Sequence, residues 1–338
     1  MPTLVAHSHL LITGGAGAIG SHLADAWIAG GGTVTVLDDL SNGSAANLAG
    51  ALGGGRGYLV TGSVLDAALV EDCVERCDGV AHLAAVVGVG RVLAAPARTL
   101  EVGTRGGELV LQAAARRGRP VLIVSSSEVY GLCDRLPFRE DEPLALGSPE
   151  RPRWTYAVSK LHSESLALAL WRERGLPTTV ARLFNTSGPR QSAASGMVLP
   201  RFVAAALRGE VLRVHGDGTQ SRVFCHVRDV VRALVGLLTT PAANGRVFNV
   251  GGEEEVTIAA LAERVRSRLG SASKIVFEPH GFSRGEGYED TTRRVPDLGR
   301  IHALFAWRTE QNLDSLIDDV ARGLASDGRA VAAPMGTP

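Results

Sequence analysis

Thr13-Gly14-Gly15-Ala16-Gly17-Ala18-Ile19-Gly20 stands between a short apolar run over 10–13 and an amphipathic stretch over 21–30. That context makes it a turn from a strand into a helix. Gly14, Gly17 and Gly20 are spaced G-x-x-G-x-x-G. One glycine allows the tight turn, one lets a pyrophosphate approach the backbone, and one lets the helix pack on the strand. The helix opening at Ala18 and Ile19 then offers amide hydrogens and the positive end of its dipole to phosphates.

Reading outward, Asp38 closes the second expected strand, where a carboxylate accepts from a ribose 2′-hydroxyl and repels a 2′-phosphate. NAD is therefore the expected cofactor, in preference to NADP. Asp39 and Asn42 are assigned to the same end of the cofactor, and Ser63 follows the third strand. Asp66 either meets the adenine amino group or caps the next helix, and both readings stay open. His82-Leu83-Ala84-Ala85 ends the fourth strand with small residues, so Leu83, Ala84 and Ala85 form a backbone wall beside the cofactor.

The rest of the first half repeats that rhythm. Strands are expected over 10–13, 33–37, 57–61, 79–83, 121–125 and 178–183, with helices over 21–30, 66–76, 99–117 and 155–174. Strand alternating with helix means βαβ units and a parallel sheet covered on both faces. The expected fold is α/β, a Rossmann-type doubly wound parallel sheet with a smaller C-terminal α/β substrate-binding domain. Residues 1–184 form the cofactor domain, with a return contribution from about 215–250. Residues 185–325 form the interleaved substrate domain, with helices expected over 199–208 and from Asp229 and a further short element over 258–269, and 326–338 a flexible tail.

Composition bounds the function. Of 338 residues, 45% are hydrophobic and 21% charged, and 35 basic side chains balance 35 acidic ones. No global field would draw this protein to nucleic acid or to an anionic membrane. No apolar run reaches the length of a membrane span and no basic leader precedes the first strand, so a cytoplasmic protein is expected. Cys73, Cys77, Cys133 and Cys225 are scattered without zinc-site spacing, so they are expected to be incidental thiols, with no metal.

Chemistry enters at Ser125-Ser126-Ser127, ending the fifth strand, and at Tyr156-Ala157-Val158-Ser159-Lys160 on a helix. The four-residue spacing puts Tyr156 and Lys160 on one helix face. A free tyrosine, with pKa ~10, is a poor base at neutral pH. An ammonium and an oxidised nicotinamide beside it would favour the phenolate, which takes a proton from a sugar hydroxyl while hydride leaves the same carbon.

TGGAGAIGSHL, SSSEVYG, YAVSK and RLFN together resemble the extended short-chain dehydrogenases that modify nucleotide-bound sugars, over about residues 8–320. The resemblance implies that Tyr156 is the base, Lys160 its partner and ribose ligand, and Ser126 and Ser127 the hydrogen-bonding partners of the reacting sugar. It further implies that Asn185 and Arg222 contact a substrate diphosphate with Asp229 in support. It also implies a homodimer built on the helices over 99–117 and 155–174.

Members of that family share oxidation at C4 and differ in the fate of the resulting 4-keto sugar. Dehydratases typically read Ser-Thr-Asp-Glu-Val-Tyr-Gly, and this chain has Ser127 in place of the Asp. UDP-glucuronate decarboxylases typically read Ser-Thr-Ser-Glu-Val-Tyr-Gly, which differs only at Ser126. Glucose-type 4-epimerases usually carry a small residue at Glu128 and many carry Asn at Glu101; apiose-forming relatives carry Cys at Ser127. Pro152-Arg153-Trp154-Thr155-Tyr156 resembles the decarboxylase module of the aminoarabinose pathway. Gly285-Glu286-Gly287-Tyr288-Glu289-Asp290 and Arg293-Arg294-Val295-Pro296-Asp297 resemble the segment bearing its substrate arginine, which implies substrate contacts for Tyr288 and Arg294. A guanidinium grips a C6 carboxylate bidentately, and beside a C4 ketone that carboxylate belongs to a β-keto acid. Glu128 would relay protons at C5.

The expected reaction is thus decarboxylation of UDP-glucuronate to UDP-xylose or a 4-keto pentose. The alternative is 4-epimerisation of UDP-glucuronate or a related UDP-sugar, followed by 4,6-dehydration or a catalytically silent NAD-binding regulator. Against these roles, Arg293 and Arg294 also read as a solvated pair and Glu128 as an exposed strand-end acid. Trp154 reads as packing and His226 as structural.

Overall fold

A computed structural model describes residues 4–5, 7–191, 196–279 and 291–326. The main sheet holds β1 (His9–Thr13), β2 (Thr33–Asp38), β3 (Gly57–Thr61), β4 (Gly79–His82), β5 (Val121–Ser126), β6 (Thr178–Leu183) and a late strand, Arg246–Val250. All pairings are parallel, in the order β3-β2-β1-β4-β5-β6 and then Arg246–Val250. The strand order reverses between β1 and β4, and in such sheets ligands enter the crevice beyond the carboxyl ends at that point.

Burial explains the near-continuous apolar strands. Successive side chains point to opposite faces, and both faces of a parallel sheet are covered. Leu10 and Ile12 enter one core with Val34 and Val36, while Leu11 enters the other with Val80 and Ile123. Helix α1 (Ala18–Ala29) covers the first face together with Val227–Thr239. The other helices of this half are α2 (Ala49–Gly53), α3 (Ala67–Glu75), α4 (Val89–Ala94), α5 (Pro96–Glu101), α6 (Gly107–Arg117) and α7 (Thr155–Arg174).

One expected helix is corrected. The stretch over 99–117 is not continuous: a π-helical turn, Val102–Gly106, separates α5 from α6. Here α7 presses close enough that a Cβ on Gly103 would lie 2.5 Å from Ser159 Oγ, and one on Gly107 would lie 2.7 Å from Ser163 Oγ. The glycines permit the approach, and the wide turn accommodates it.

The smaller lobe has its own core, in which Leu199, Phe202, Leu261, Leu316 and Ile317 meet. They come from the helices Val198–Leu207, Ile258–Arg268 and Leu313–Ser326. Two small sheets complete it, one of Glu255–Thr257, Ser221–Val223 and Arg293–Arg294, the other of Leu212–His215 and Ile275–Glu278. A fourth cluster joins the lobes: Val129 and Tyr130 pack on Phe138, Phe184 and Val223, with Tyr130 and Phe138 stacked at 4.6 Å.

Candidate active site

The glycine turn is built for close approach. Gly14 has φ +69°, and a Cβ there would meet Ala84 N at 2.7 Å; one on Gly20 would meet Gly15 Cα at 2.6 Å. Gly17 begins α1 in extended conformation with no side-chain cap, so the first amides of Ala18 and Ile19 have no capping side chain before them. Asp38 holds the turn from the side: its Oδ2 accepts from Ala16 N at 2.9 Å and its Oδ1 from Leu40 N at 2.8 Å. Burial raises its pKa while those two amides oppose the rise, and each oxygen keeps a further lone pair for a ribose hydroxyl. Asn47, which sequence reasoning missed, donates to Ala16 O at 2.8 Å. A capless helix start, a turn too close-packed for side chains and a flanking carboxylate fit the phosphates and ribose of NAD.

Other assigned cofactor residues already have protein partners. Asp66 caps α3 by accepting from Leu69 N, Ser63 Oγ accepts from Leu65 N, and Asp39 accepts from Ser41. Asn42 accepts from Arg91 Nη1 at 2.6 Å. Leu83 N donates to Thr13 O, and Ala84 and Ala85 follow at the mouth of the crevice.

At the end of β5 the serine run meets α7. Lys160 is buried and donates to Val124 O at 2.8 Å, its Nζ lying 5.8 Å from the Tyr156 ring centroid. Burial lowers the Lys160 pKa to about 8, with Glu164 working against it. In the protein alone the Tyr156 hydroxyl is pushed up, first by burial and then by the Glu128 charge, and a hydrogen bond with Ser126 opposes this. Ser126 also caps the turn by accepting from Glu128 N, and Ser127 is buried. Desolvation of the phenolate, not the expected Lys160 charge, dominates this shift.

Glu128 is the junction. Its Oε1 accepts from Arg294 Nη1 at 2.6 Å and its Oε2 from Arg153 Nη1 at 2.9 Å. Burial opposes its charge, but the two guanidiniums prevail and hold its pKa at about 2. It is a carboxylate at neutral pH, engaged by both guanidiniums. Arg153 was missed as a site residue although it stands three residues before Tyr156, a spacing that shares a helix face. Arg293 and Arg294 separate as neighbours on a strand do: Arg293 pairs with Glu255 at the surface, and Arg294 turns inward.

Residues 10–251 match the NAD dependent epimerase/dehydratase family. The chain belongs to that family. As a family member it is an NAD-dependent enzyme of nucleotide-sugar type. It is 36% identical over 317 residues to a UDP-N-acetyl-alpha-D-glucosaminuronate decarboxylase of Bacillus cytotoxicus, covering 91% of this chain and 96% of the relative. It is 34% identical to UDP-glucuronic acid decarboxylase 1 of Danio rerio, covering 93% and 73% respectively. Its fold matches UDP-glucose 4-epimerase of Thermotoga maritima, solved with UDP-glucose, at TM-score 0.85 and 27% identity over 94% of this chain and 99% of that one.

The remaining substrate assignments in this epimerase/dehydratase family member come out unevenly. Asn185, at φ 21°, donates to Val223 O at 2.9 Å. Arg222 is buried opposite Arg294 in the strand register and donates to Ser221 O at 2.7 Å. Asp229, expected in support at the diphosphate, is buried and bonded within the protein. Its oxygens accept from Glu310 N, Gln311 N and Arg232, pinning the chain before Leu313–Ser326. Trp154 is buried, and His226 hydrogen-bonds Asp319 at 3.2 Å. Tyr288, with the stretch over 285–290, lies outside the described residues. Among the described residues no group of His, Cys, Asp or Glu could hold a metal ion, and no helix is long and apolar enough to cross a membrane.

Proposed function

We propose that this enzyme decarboxylates a UDP-linked uronic acid, UDP-glucuronate first, through transient oxidation at C4. The observation that carries the reading is Arg294: a buried guanidinium from the smaller lobe, delivered to the serine turn beside Tyr156. Its Nη1 meets Glu128, and the fork has five N–H donors, so donors remain for a substrate carboxylate. The names of the two decarboxylase relatives support the same reading.

The glycine turn and Asp38 would hold NAD, which would supply reversible hydride acceptance at C4. Tyr156 takes the C4 hydroxyl proton, with the Lys160 ammonium stabilising the phenolate. Ser126 and Ser127 hold the C4 oxygen. With C4 a ketone, the C5–C6 bond breaks, CO2 leaves, and the electron pair moves to the C4 oxygen as an enolate, stabilised by the serine and tyrosine donors. Glu128, ionised, orients Arg294 and Arg153, and C5 takes its proton from Tyr156 or water.

The test is incubation with UDP-glucuronate, and in parallel with its 2-N-acetyl counterpart, while released CO2 is measured. CO2 in step with pentose formation is expected. A new UDP-galacturonate signal with no loss of carbon would replace the decarboxylase with a 4-epimerase. Two finer readings complete the proposal. We infer a homodimer through α5, α6 and α7, supported by exposed Val158 on α7. A cytoplasmic location is supported by four cysteines that form no disulfide.

A further inference from the structure

Beneath the Tyr156–Lys160 pair lies a buried ion pair that the chemistry above leaves without a role. Glu164 follows Lys160 by one turn of α7, so Tyr156, Lys160 and Glu164 share one helix face. Arg182 on β6 grips its carboxylate from the side, with Nε 3.1 Å from each oxygen and Nη2 2.8 Å from Oε2. Ser125 Oγ donates to Oε1. Ser125 stands between Val124, whose carbonyl receives Lys160, and Ser126 of the catalytic turn. The Arg182 guanidinium in turn lies 4.8 Å from the Tyr130 ring centroid, and Tyr130 closes that turn.

We propose that Glu164 is a positioning residue for the reaction. It registers the helix carrying Tyr156 and Lys160 against the strand delivering Ser126 and Ser127, and it places a carboxylate one helical turn from Lys160. The proposal rests on the Tyr156–Lys160 reading given above.

Stability alone does not account for this pair. Two charges at 6% and 2% side-chain exposure gain little over apolar residues of similar volume, because desolvation consumes the attraction. What a fully bonded pair does provide is fixed geometry. It also provides charge where Lys160 needs it, since burial pulls the lysine toward its neutral form and Glu164 acts against that. The charged or titratable groups on the other elements packed around α7 do not replace it. His82 on β4 is held neutral by burial, Glu128 after β5 is engaged by Arg294 and Arg153, and Arg182 is cationic. Arg98, Glu101, Arg105 and Glu108 on α5, the π turn and α6 are exposed.

The experiment compares Glu164→Gln, and Glu164→Gln combined with Arg182→Met, with the parent enzyme loaded with NAD. The pH dependence of kcat and KM for UDP-glucuronate is measured beside a thermal melt. The alkaline limb of kcat is expected to move down by about one pH unit. At pH 8 kcat falls roughly fivefold while KM stays within about twofold. Glu164→Asp, which keeps the charge and shortens the arm, lowers kcat and leaves the limb in place. A folded variant lacking the carboxylate whose alkaline limb does not move overturns the proposal, whatever happens to kcat. Should neither neutral variant fold, Glu164→Asp and Ser125→Ala test the register, and parental kcat in both overturns it. Tyr156→Phe is run alongside: turnover in that variant would refute the catalytic reading itself, whereas an inactive Tyr156→Phe with unmoved Glu164 variants refutes only the positioning role.

Discussion

Arg294 and Glu128, 166 residues apart in sequence, meet at 2.6 Å between Nη1 and Oε1. One comes from a two-residue strand of the smaller lobe and the other from the turn ending β5. The contact brings the arginine to the edge of the redox pair, and it joins the two lobes through charge as the Tyr130 cluster joins them through apolar packing.

Arg294→Lys keeps a positive charge and loses the planar fork. CO2 release from UDP-glucuronate should fall roughly a hundredfold, with NAD binding retained. Equal CO2 release by the two enzymes would remove Arg294 from the carboxylate site.

Glu128 also links the site to acid stability. Its pKa is about 2 in the folded protein against an ordinary 4.5. A depressed carboxylate stabilises the fold above its unfolded value, and the contribution disappears as pH falls from 4.5 toward 2. In urea titrations the parent should exceed Glu128→Gln in stability at pH 6, with the gap clearly narrower at pH 3. A gap that stays constant across that range contradicts the ion-pair account.

His82 works over a higher window. It is buried against Thr13, with Nδ1 and Oγ1 at 2.8 Å, and burial lowers its pKa to about 3 from 6.5. A base held neutral in the fold supports stability above 6.5, and that support is lost as pH falls from 6.5 toward 3. His82→Gln should flatten the dependence of stability on pH over this interval. An unchanged slope would mean that other groups carry the acid sensitivity.

Gly14→Ala tests the cofactor turn. The new Cβ would meet Ala84 N at 2.7 Å from a backbone at φ +69°. Strain of about 1–3 kcal/mol is expected, seen as a lower melting temperature together with weakened NAD binding by titration. Parental values in both would show that the backbone relaxes freely at this position.

Much of the site was legible because its signals are local. The glycine spacing marks the turn, the four-residue interval places Tyr156 and Lys160 together, and the serine run ends a strand. Helix Leu313–Ser326 escaped notice although Leu313, Leu316, Ile317, Val320 and Leu324 carry helical spacing. The π turn was not legible, since it depends on how closely α7 packs against Gly103 and Gly107.

The sequence by itself determined the parallel sheet, the cofactor turn and the redox pair, since each follows from spacing within one strand–turn–helix unit. Only the tertiary structure decided which of two adjacent arginines turns inward, that Arg153 flanks Glu128, and that Glu164 and Arg182 lock beneath Lys160. Those contacts join elements from 18 to 166 residues apart. A carboxylate's role as acid, base or anchor depends on which charges folding brings beside it.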